Sequence, residues 1–223
     1  MNKIVLASNN RKKIAEFETI LGSLPSKYQV QSLKDIGYTE DIEENGSTFA
    51  ENSLIKAIVP TKFGYIGMAD DSGLTVDALN GAPGIFSARY AGGHGDDKAN
   101  RDLLLENLAD VPDEKRGGAF VCVITMVFPE DSDAVVPEEY RISAELAEKY
   151  GVSPEKVLSI HGECRGVITH DERGEGGFGY DCLFCYPEFG GTFAEITQEQ
   201  KNAVSHRGNA MRMLTEALKR MSK

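Results

Sequence analysis

The stretch KIVLASNNRKKIAEFETILG, residues 3–22, decides the fold class because it changes from a strand pattern to a helix pattern within one turn. Residues 3–7 form a short apolar run rich in β-branched side chains, and residues 8–10 interrupt it. Apolar residues then recur at helical spacing up to Gly22, a common residue after a helix end: Ile14, Phe17 and Leu21. The stretch therefore predicts a strand, a turn and a helix.

The rest of the chain continues this alternation. A capping-box pattern over Thr48–Glu51 predicts a second helix that ends before Pro60, and Ser205 is a candidate N-cap for the last helix. Short strands are predicted at residues 65–69, 120–128, 166–169 and 182–185, of which 120–128 is apolar enough to be buried on both faces. Alternating strands and helices predict an α/β fold with a mixed sheet and helices packed on it.

Residues 131–165 differ from this pattern. Pro137–Tyr150 is amphipathic with helical spacing and is followed by Gly151, and Ser153-Pro154-Glu155 resembles the start of another helical turn. We predict a helical insertion over 131–165, with a surface or oligomer-contact role.

Composition limits the classes of function. The 223 residues are 41% hydrophobic and carry a formal charge of −11, which disfavours nucleic-acid polymers and anionic membranes as partners. The longest apolar run, residues 120–128, is far shorter than the roughly 20 residues that span a bilayer. Four cysteines are too few for a disulfide-rich secreted scaffold, so we expect a cytoplasmic protein.

The first turn combines a hydroxyl, amides and cations at the predicted start of a helix, over Ser8–Lys13. A helix N-terminus offers free N–H groups and a partial positive charge, and cations placed there oppose the helix dipole, so stability alone does not explain them. We predict an anion pocket suited to phosphates. It is not a P-loop, because the chain contains no Gly-Lys dipeptide.

Two acidic segments, Glu43–Glu44 and Asp70–Asp71, precede and follow the second helix. Carboxylates beside a phosphate pocket suit Mg²⁺, which takes one or two carboxylates together with waters and phosphate oxygens. Adjacent residues on a strand point to opposite faces, so only one of Asp70 and Asp71 should face the ligand. An Asp-rich turn explains the second segment equally well when it is taken alone.

A third group of candidates lies in the last quarter of the chain. The glycine-rich segment 174–181 precedes a predicted strand instead of opening a helix, so it is not a dinucleotide-binding motif. Its glycines allow the backbone to approach a ligand closely, and the Phe178 ring offers a face on which a base can stack. Lys201, Ser205, His206 and Arg207 add hydrogen-bond donors. The Cys182–Cys185 CxxC lacks the further ligands of a zinc site.

Together these segments resemble the inosine triphosphate pyrophosphatase family, the Ham1-like dITP/XTP pyrophosphatases. The resemblance runs from Ile4 to about Leu218 and rests on seven ordered motifs. They are Ser8-x-Asn10-x-x-Lys13, Glu44-x-Gly46, Thr48-Phe49-x-Glu51-Asn52 with Lys56, Ala69-Asp70-Asp71-Ser72-Gly73-Leu74, Gly81–Ile85 with Ser87–Tyr90, Gly176–Asp181, and Ser205–Gly208.

The resemblance implies a three-layer α/β fold with a long mixed sheet, in which residues 1–223 form one domain of two lobes around a nucleotide cleft. It implies a homodimeric, Mg²⁺-dependent nucleoside-triphosphate pyrophosphohydrolase that converts ITP, dITP and XTP to the monophosphate and pyrophosphate. The partner would be a small-molecule nucleotide, with no nucleic-acid polymer or membrane.

Roles follow for each motif position. The resemblance implies that Asp71 is the general base and that Glu44 and Asp71 hold the metal. It further implies that the nucleotide is bound by Ser8, Asn10, Lys13, Lys56, Ser72, Phe178, Gly179, Tyr180, Asp181, Lys201, His206 and Arg207. Because the chain is acidic overall, we also expect Lys13, Lys56, Lys201 and Arg207 to make the site locally positive.

Two other functions remain as alternatives. A Maf-like pyrophosphatase for other modified nucleotides shares the general architecture but is not expected to carry Ser205-His206-Arg207. A non-catalytic nucleotide-sensing module would bind without turnover, and the presence of Glu44 and Asp71 argues against it.

Overall fold

The computed structural model describes residues 2–8, 11–22, 28–93 and 95–221. The strands in these parts are β1 (Asn2–Leu6), β2 (Tyr28–Ser32), β3 (Ile66–Val76), β4 (Gly117–Val127), β5 (Val157–Ile168), β6 (Phe184–Tyr186) and β7 (Gly191–Thr192). The α-helices are α1 (Arg11–Gly22), α2 (Phe49–Ile58), α3 (Asp97–Asn107), α4 (Ala144–Tyr150), α5 (Gln198–Val204) and α6 (His206–Met221).

The strands form one mixed sheet in the order β2-β1-β3-β4-β5-β6-β7. β1 pairs in parallel with both β2 and β3, whereas β6 is antiparallel to β5 and to β7. The α/β prediction with a mixed sheet is therefore confirmed. β4 is buried along nearly its whole length, as its continuous apolar sequence predicts.

The chain forms two compact units. Unit 1 comprises Met1–Asp71, Val123–His161 and Ala210–Lys223, and unit 2 comprises Ser72–Cys122 and Gly162–Asn209. Each unit contains a buried apolar cluster of its own, formed in unit 1 around Val5, Leu54 and Val127 and in unit 2 around Leu74, Phe120 and Phe184. The predicted lobes around a nucleotide cleft stay a prediction.

Capping residues explain where the helices begin. The Thr48 hydroxyl accepts a hydrogen bond from Glu51 N at 3.1 Å and starts α2, and Ser205 Oγ accepts from Gly208 N at 3.1 Å and starts α6. Both predicted N-caps are confirmed. Only half of the predicted capping box forms at α2, because the Glu51 carboxylate binds Ser47 N at 2.6 Å instead of the N–H of Thr48.

β3 is longer than the predicted strand at residues 65–69. It runs through the acidic segment to Val76, so the alternative of an Asp-rich turn is wrong. Buried carboxylates are tolerated on a strand only when they are paired, and both Asp70 and Asp71 contact lysines there.

The predicted helical insertion over 131–165 is wrong for its last nine residues. Residues 157–165 belong to β5, a strand inside the sheet, and α4 covers only Ala144–Tyr150 of the predicted helix. The missed signal was period-two alternation, in which buried Ile160, Gly162 and Cys164 are separated by exposed polar residues. No α-helix in the described parts of the chain has the length and apolar character needed to cross a membrane.

Candidate functional site

A cluster of two lysines and three carboxylates lies in unit 1. We call Lys13, Glu44, Lys56, Asp70 and Asp71 the lysine–carboxylate cluster; they come from α1, the loop before α2, α2 itself and β3. Lys13 from the predicted anion pocket thus lies in the same cluster as residues of the two acidic segments.

Lys13 and Asp70 form the first ion pair of the cluster. Lys13 Nζ donates to Asp70 Oδ1 at 2.9 Å and to Oδ2 at 2.8 Å, and the Asp70 side chain is almost fully buried. The parallel pairing of β1 with β3 explains this proximity, because it places the end of β1 beside Met68, two residues before Asp70; Ala7 N donates to Met68 O at 2.7 Å at that point.

Lys56 lies between the other two carboxylates. Its ammonium nitrogen is 3.1 Å from Glu44 Oε1 and 3.4 Å from Asp71 Oδ1. Asp70 and Asp71 therefore contact different lysines, which agrees with the expectation that neighbouring strand residues point apart. Read singly, a helical lysine is usually solvated, but Lys56 and Asn52, four residues apart, are both buried on α2.

Burial and charge shift the pKa values of this pair. Burial raises the pKa of Asp71, against the lowering effect of Lys56, and the Glu44 carboxylate adds to the rise. For Lys56, burial alone would lower the pKa, but Asp71, Glu44 and Asp70 outweigh it and raise the pKa. Lys56 is therefore an ammonium ion, and Asp71 is a stronger base than an ordinary aspartate.

The loop that carries Glu44 is fixed by the first turn of α2. Asn52 Oδ1 accepts from Gly46 N at 2.9 Å, and Glu51 Oε2 accepts from Ser47 N and from Ser47 Oγ at 2.6 and 2.7 Å. A Cβ at residue 46 would lie 2.6 Å from Glu51 Cβ and 2.7 Å from Asn52 Oδ1, so only glycine fits this close approach.

The chemistry of the cluster fits a divalent cation. Two ammonium groups and three carboxylates give it a formal charge of −1. Asp71 Oδ2 is buried, and among the described residues the Asn52 amide is near enough to lower the pKa of Asp71 without making a hydrogen bond of normal geometry to that oxygen. The described residues contain no group of three or more metal-ligating side chains, but Mg²⁺ commonly uses only one or two carboxylates beside substrate phosphates.

Three further phosphate-side candidates are less defined. Ser8 is half-buried just after β1, where its N–H donates to Leu6 O at 2.7 Å. Asn10 lies outside the described residues. Ser72 is half-buried on β3 and directly follows Asp71 in the chain. Their predicted contacts with a nucleotide stay predictions.

In unit 2 the glycine-rich loop, residues 174–181, is held by its own last residue. Asp181 Oδ2 accepts from Phe178 N at 2.9 Å and from Lys201 Nζ at 2.5 Å, and both Asp181 and Lys201 are buried. Gly177 has a φ of +78°, and a Cβ there would lie 2.2 Å from Asp181 Oδ2, so the tight turn requires glycine.

The aromatic ring of this loop lies above the lysine. Lys201 Nζ is 5.1 Å from the Phe178 ring centroid and 5.4 Å from that of Phe193, both within cation–π range. Tyr180 is buried and donates its hydroxyl to Ser87 O at 2.9 Å, which ties the loop to the Ser87–Tyr90 motif. Phe178 itself is 71% exposed, the largest value among the exposed large apolar side chains of the described chain.

His206 and Arg207 occupy the first turn of α6. The His206 ring stacks on Phe120 with centroids 5.0 Å apart and an interplanar angle of 19°. Arg207 is half-buried beside it. Unit 2 thus brings most of the predicted base-pocket residues onto the glycine-rich loop, α5 and the start of α6.

The expectation of a locally positive site stays a prediction, although three of its lysines are paired with carboxylates. Lys13, Lys56 and Lys201 each contact at least one carboxylate, and carboxylates outnumber cations in the lysine–carboxylate cluster. A buried ammonium group needs such a partner to offset its desolvation, and sequence position alone does not show where that partner comes from.

Sequence reasoning missed several residues that shape these clusters. Asn52 and Glu51 hold the Glu44 loop, a role that neither the capping-box pattern nor the shared helix face with Lys56 predicts. Asp97 and Arg101 on α3 contact the glycine-rich loop, and nothing in their local sequence indicates it. Of the CxxC, Cys182 precedes β6 and Cys185 lies on it, and neither forms a disulfide.

The fold and the two groups of residues define a class of protein. It is an α/β protein with a lysine–carboxylate cluster in unit 1, suited to phosphate and a divalent cation. In unit 2 it has a glycine-rich loop whose Phe178 ring lies over Lys201. Residues 4–217 match the model of the Ham1 family, and the chain belongs to that family.

Known relatives extend over nearly the whole chain. A dITP/XTP pyrophosphatase of Desulforamulus reducens is 42% identical over 98% of this chain and 96% of its own. One of Clostridium perfringens is 43% identical over 98% of both chains. Among solved structures, a HAM1 protein from Coxiella burnetii matches with a TM-score of 0.82 and 38% identity, over 99% of this chain and all of that one. The Staphylococcus aureus Ham1 protein matches with a TM-score of 0.81 and 36% identity over 98% of both.

Proposed function

We propose that this protein is a nucleoside-triphosphate pyrophosphohydrolase that removes non-canonical purine nucleotides. It converts dITP, ITP and XTP to the monophosphate and pyrophosphate. The proposal rests on the Ham1 family match and on relatives named dITP/XTP pyrophosphatase at about two-fifths identity. The structural observation that carries it is Lys56 between Glu44 and Asp71, with Lys13 and Asp70 beside them.

The lysine–carboxylate cluster supplies the groups that phosphoanhydride cleavage needs. Such cleavage depends on charge neutralisation and on an in-line water more than on covalent chemistry. We propose that Lys13, Lys56, Ser8 and Asn10 hold the phosphates and that Asp71 accepts the proton of the attacking water. The raised pKa of Asp71 supports the assignment, because a base works best when its pKa approaches the working pH.

We propose Mg²⁺ as the cofactor, held by Glu44 and Asp71. When bound, the ion neutralises phosphate charge and lowers the pKa of water. The excess of carboxylates and the buried Asp71 Oδ2 support this choice.

The unit 2 residues are proposed to select the base. Hypoxanthine and xanthine present an acceptor O6 and a donor N1–H, whereas adenine presents an amino donor there. Donors from Arg207 or backbone N–H groups would then face a donor if adenine entered, and sites of this kind reject a mismatched base by up to about 10⁴–10⁵-fold. We propose that Phe178 stacks on the base and that Ser72, Lys201 and His206 complete the nucleotide contacts.

The test is pyrophosphate release from dITP, ITP, XTP, dATP and dGTP with Mg²⁺, for the wild-type protein and for Asp71→Asn. We expect rapid release from the three non-canonical nucleotides and little from dATP. Tight binding without release would favour the sensing module, and release only from other modified nucleotides would favour a Maf-like enzyme. The family match favours neither alternative.

Two further expectations come from the resemblance to the family. We propose a homodimer, to be checked by light scattering of the purified protein. We also propose a cytoplasmic location, where nucleotide precursors are used and where the four free cysteines stay reduced.

A further inference from the structure

The exposed Phe178 ring sits on a loop in which each residue from 178 to 181 is held by hydrogen bonds of its backbone or side chain. The Asp181 carboxylate accepts a hydrogen bond from Phe178 N and another from Lys201 Nζ, and the Tyr180 hydroxyl donates to Ser87 O. Gly179 has no side chain, so only its backbone groups can fix it. Its φ of +59° turns the chain directly after the ring.

Helix α3 contacts both backbone groups of Gly179. Asp97 Oδ2 accepts from Gly179 N at 3.0 Å, and Arg101 Nη1 donates to Gly179 O at 3.1 Å. Asp97 and Arg101 are four residues apart, so they share one face of α3. One helix face therefore holds the peptide groups on both sides of the Gly179 Cα.

Arg101 also reaches the segment before the loop. Its Nε donates to Glu172 Oε1 at 2.9 Å while Nη1 binds Gly179, and the side chain is only 16% exposed. The guanidinium presents its donors in a fixed planar fork, so it sets the spacing of the two groups it joins. A lysine has a single nitrogen and cannot hold both groups in this geometry.

We propose that Arg101 and Asp97 are positioning residues for base recognition, which fix the Gly179 backbone and thereby the plane of the Phe178 ring. The inference rests on the proposed function, because the ring is assigned to the purine base there. Neither residue is expected to touch the phosphates or the attacking water. Their loss should therefore weaken binding of a purine nucleotide and leave the chemical step in place.

Kinetics separate this role from a general loss of structure. We expect Arg101→Met to raise KM for dITP about five- to tenfold and to change kcat by no more than about twofold. This result is expected when the bound substrate and the transition state lose the same binding free energy. Arg101→Lys should behave like Arg101→Met, and Asp97→Asn should give a smaller rise. Inorganic tripolyphosphate, which lacks a base, should keep its inhibition constant in all three variants.

Matched controls come from the same helix. Lys98 and Asp102 pair with each other on the exposed face of α3, so Lys98→Met and Asp102→Asn should leave KM and kcat unchanged. An equal KM rise in these controls, or a weaker tripolyphosphate affinity in Arg101→Met, would overturn the proposal in favour of a general structural role.

A spectroscopic readout works whether or not the protein turns over dITP. The chain has no tryptophan, so Phe178→Trp places a single reporter on the loop. We expect its fluorescence anisotropy to fall when Arg101→Met is added and to stay unchanged when Lys98→Met is added. An unchanged anisotropy in the Arg101 double variant would refute the positioning role. Failure of the wild-type protein to release pyrophosphate would refute the proposed function instead, and the two outcomes are thus distinct.

Discussion

The contacts of Glu51 predict how Glu51→Gln changes the free energy of unfolding and over which pH range the change is seen. Its carboxylate accepts hydrogen bonds from Ser47 N, Ser47 Oγ and Lys149 Nζ at 2.6, 2.7 and 2.5 Å. These contacts, Lys149 first and the Ser47 groups next, lower the pKa of Glu51 from 4.5 to about 2. The ionised carboxylate therefore stabilises the Glu44 loop more than the protonated acid does.

Glu51→Gln removes that charge while keeping the shape of the side chain. A net hydrogen bond to a charged group contributes about 1.5–3 kcal/mol. The exposed Lys149 adds about 0.2–1 kcal/mol, and the amide oxygen retains part of the Ser47 contact. We expect a loss of about 2–3 kcal/mol at pH 7, which for a chain of this size lowers Tm by about 4–12 °C.

The pH dependence follows from linkage. Because the folded pKa lies below the unfolded one, the stabilisation is complete above about pH 4.5 and is lost as the pH falls towards about 2. Urea denaturation of wild type and Glu51→Gln at pH 7, 5.5, 4 and 3 should give a difference that is constant at the first two values and shrinks at the last two. Glu148→Gln, on an exposed position of α4, should show no difference at any pH. A Glu51→Gln difference as large at pH 3 as at pH 7 would refute the reasoning.

The other predictions concern catalysis. Asp71→Asn should lower kcat for dITP by about 10²–10⁴-fold with a thermal midpoint no lower than that of wild type; near-normal turnover would contradict its assignment as the base. Lys13→Ala should mainly raise KM for dITP, and unchanged KM and kcat would remove Lys13 from the phosphate contacts. Arg207→Ala should narrow the preference for dITP over dATP by at least about tenfold, measured as the ratio of kcat/KM values, and an unaltered ratio would exclude it from base selection. Chelation with EDTA should abolish pyrophosphate release and added Mg²⁺ should restore it; full activity in EDTA would exclude the proposed cofactor.

The lysine–carboxylate cluster was predictable because its residues lie near element boundaries that the sequence marks. Lys13 follows the turn after β1, and Asp70 and Asp71 lie on the next strand in the sheet, so parallel pairing brings them together. The individual partners were not predictable. Nothing in the sequence distinguishes a pairing of Lys13 with Asp70 from one with Asp71, because the choice depends on strand twist and on how α1 packs.

The candidate residues of unit 2 could be listed from the sequence, but their arrangement could not be predicted. Arg101 and Gly179 are 78 positions apart in the chain, and no local pattern links an arginine in the middle of a helix to a distant glycine carbonyl. The error at residues 157–165 has a related cause. A proline and a glutamate suggested a helix start, and the alternating pattern that follows gained its meaning only from the neighbouring strands.

The buried charges of unit 1 are the strongest physical argument for a functional site. Taking Lys56 and Asp71 out of water costs several kcal/mol for each ion, and apolar residues of similar size are often at least as stable in such positions. Burial and the Glu44 carboxylate raise the pKa of Asp71 more than its contacts with Lys56 and Asn52 lower it. Stability alone therefore does not account for this cluster, whereas a site that binds phosphate oxygens and a divalent cation requires both signs of charge at one place. The cost is then a consequence of the chemistry that we propose for the cluster.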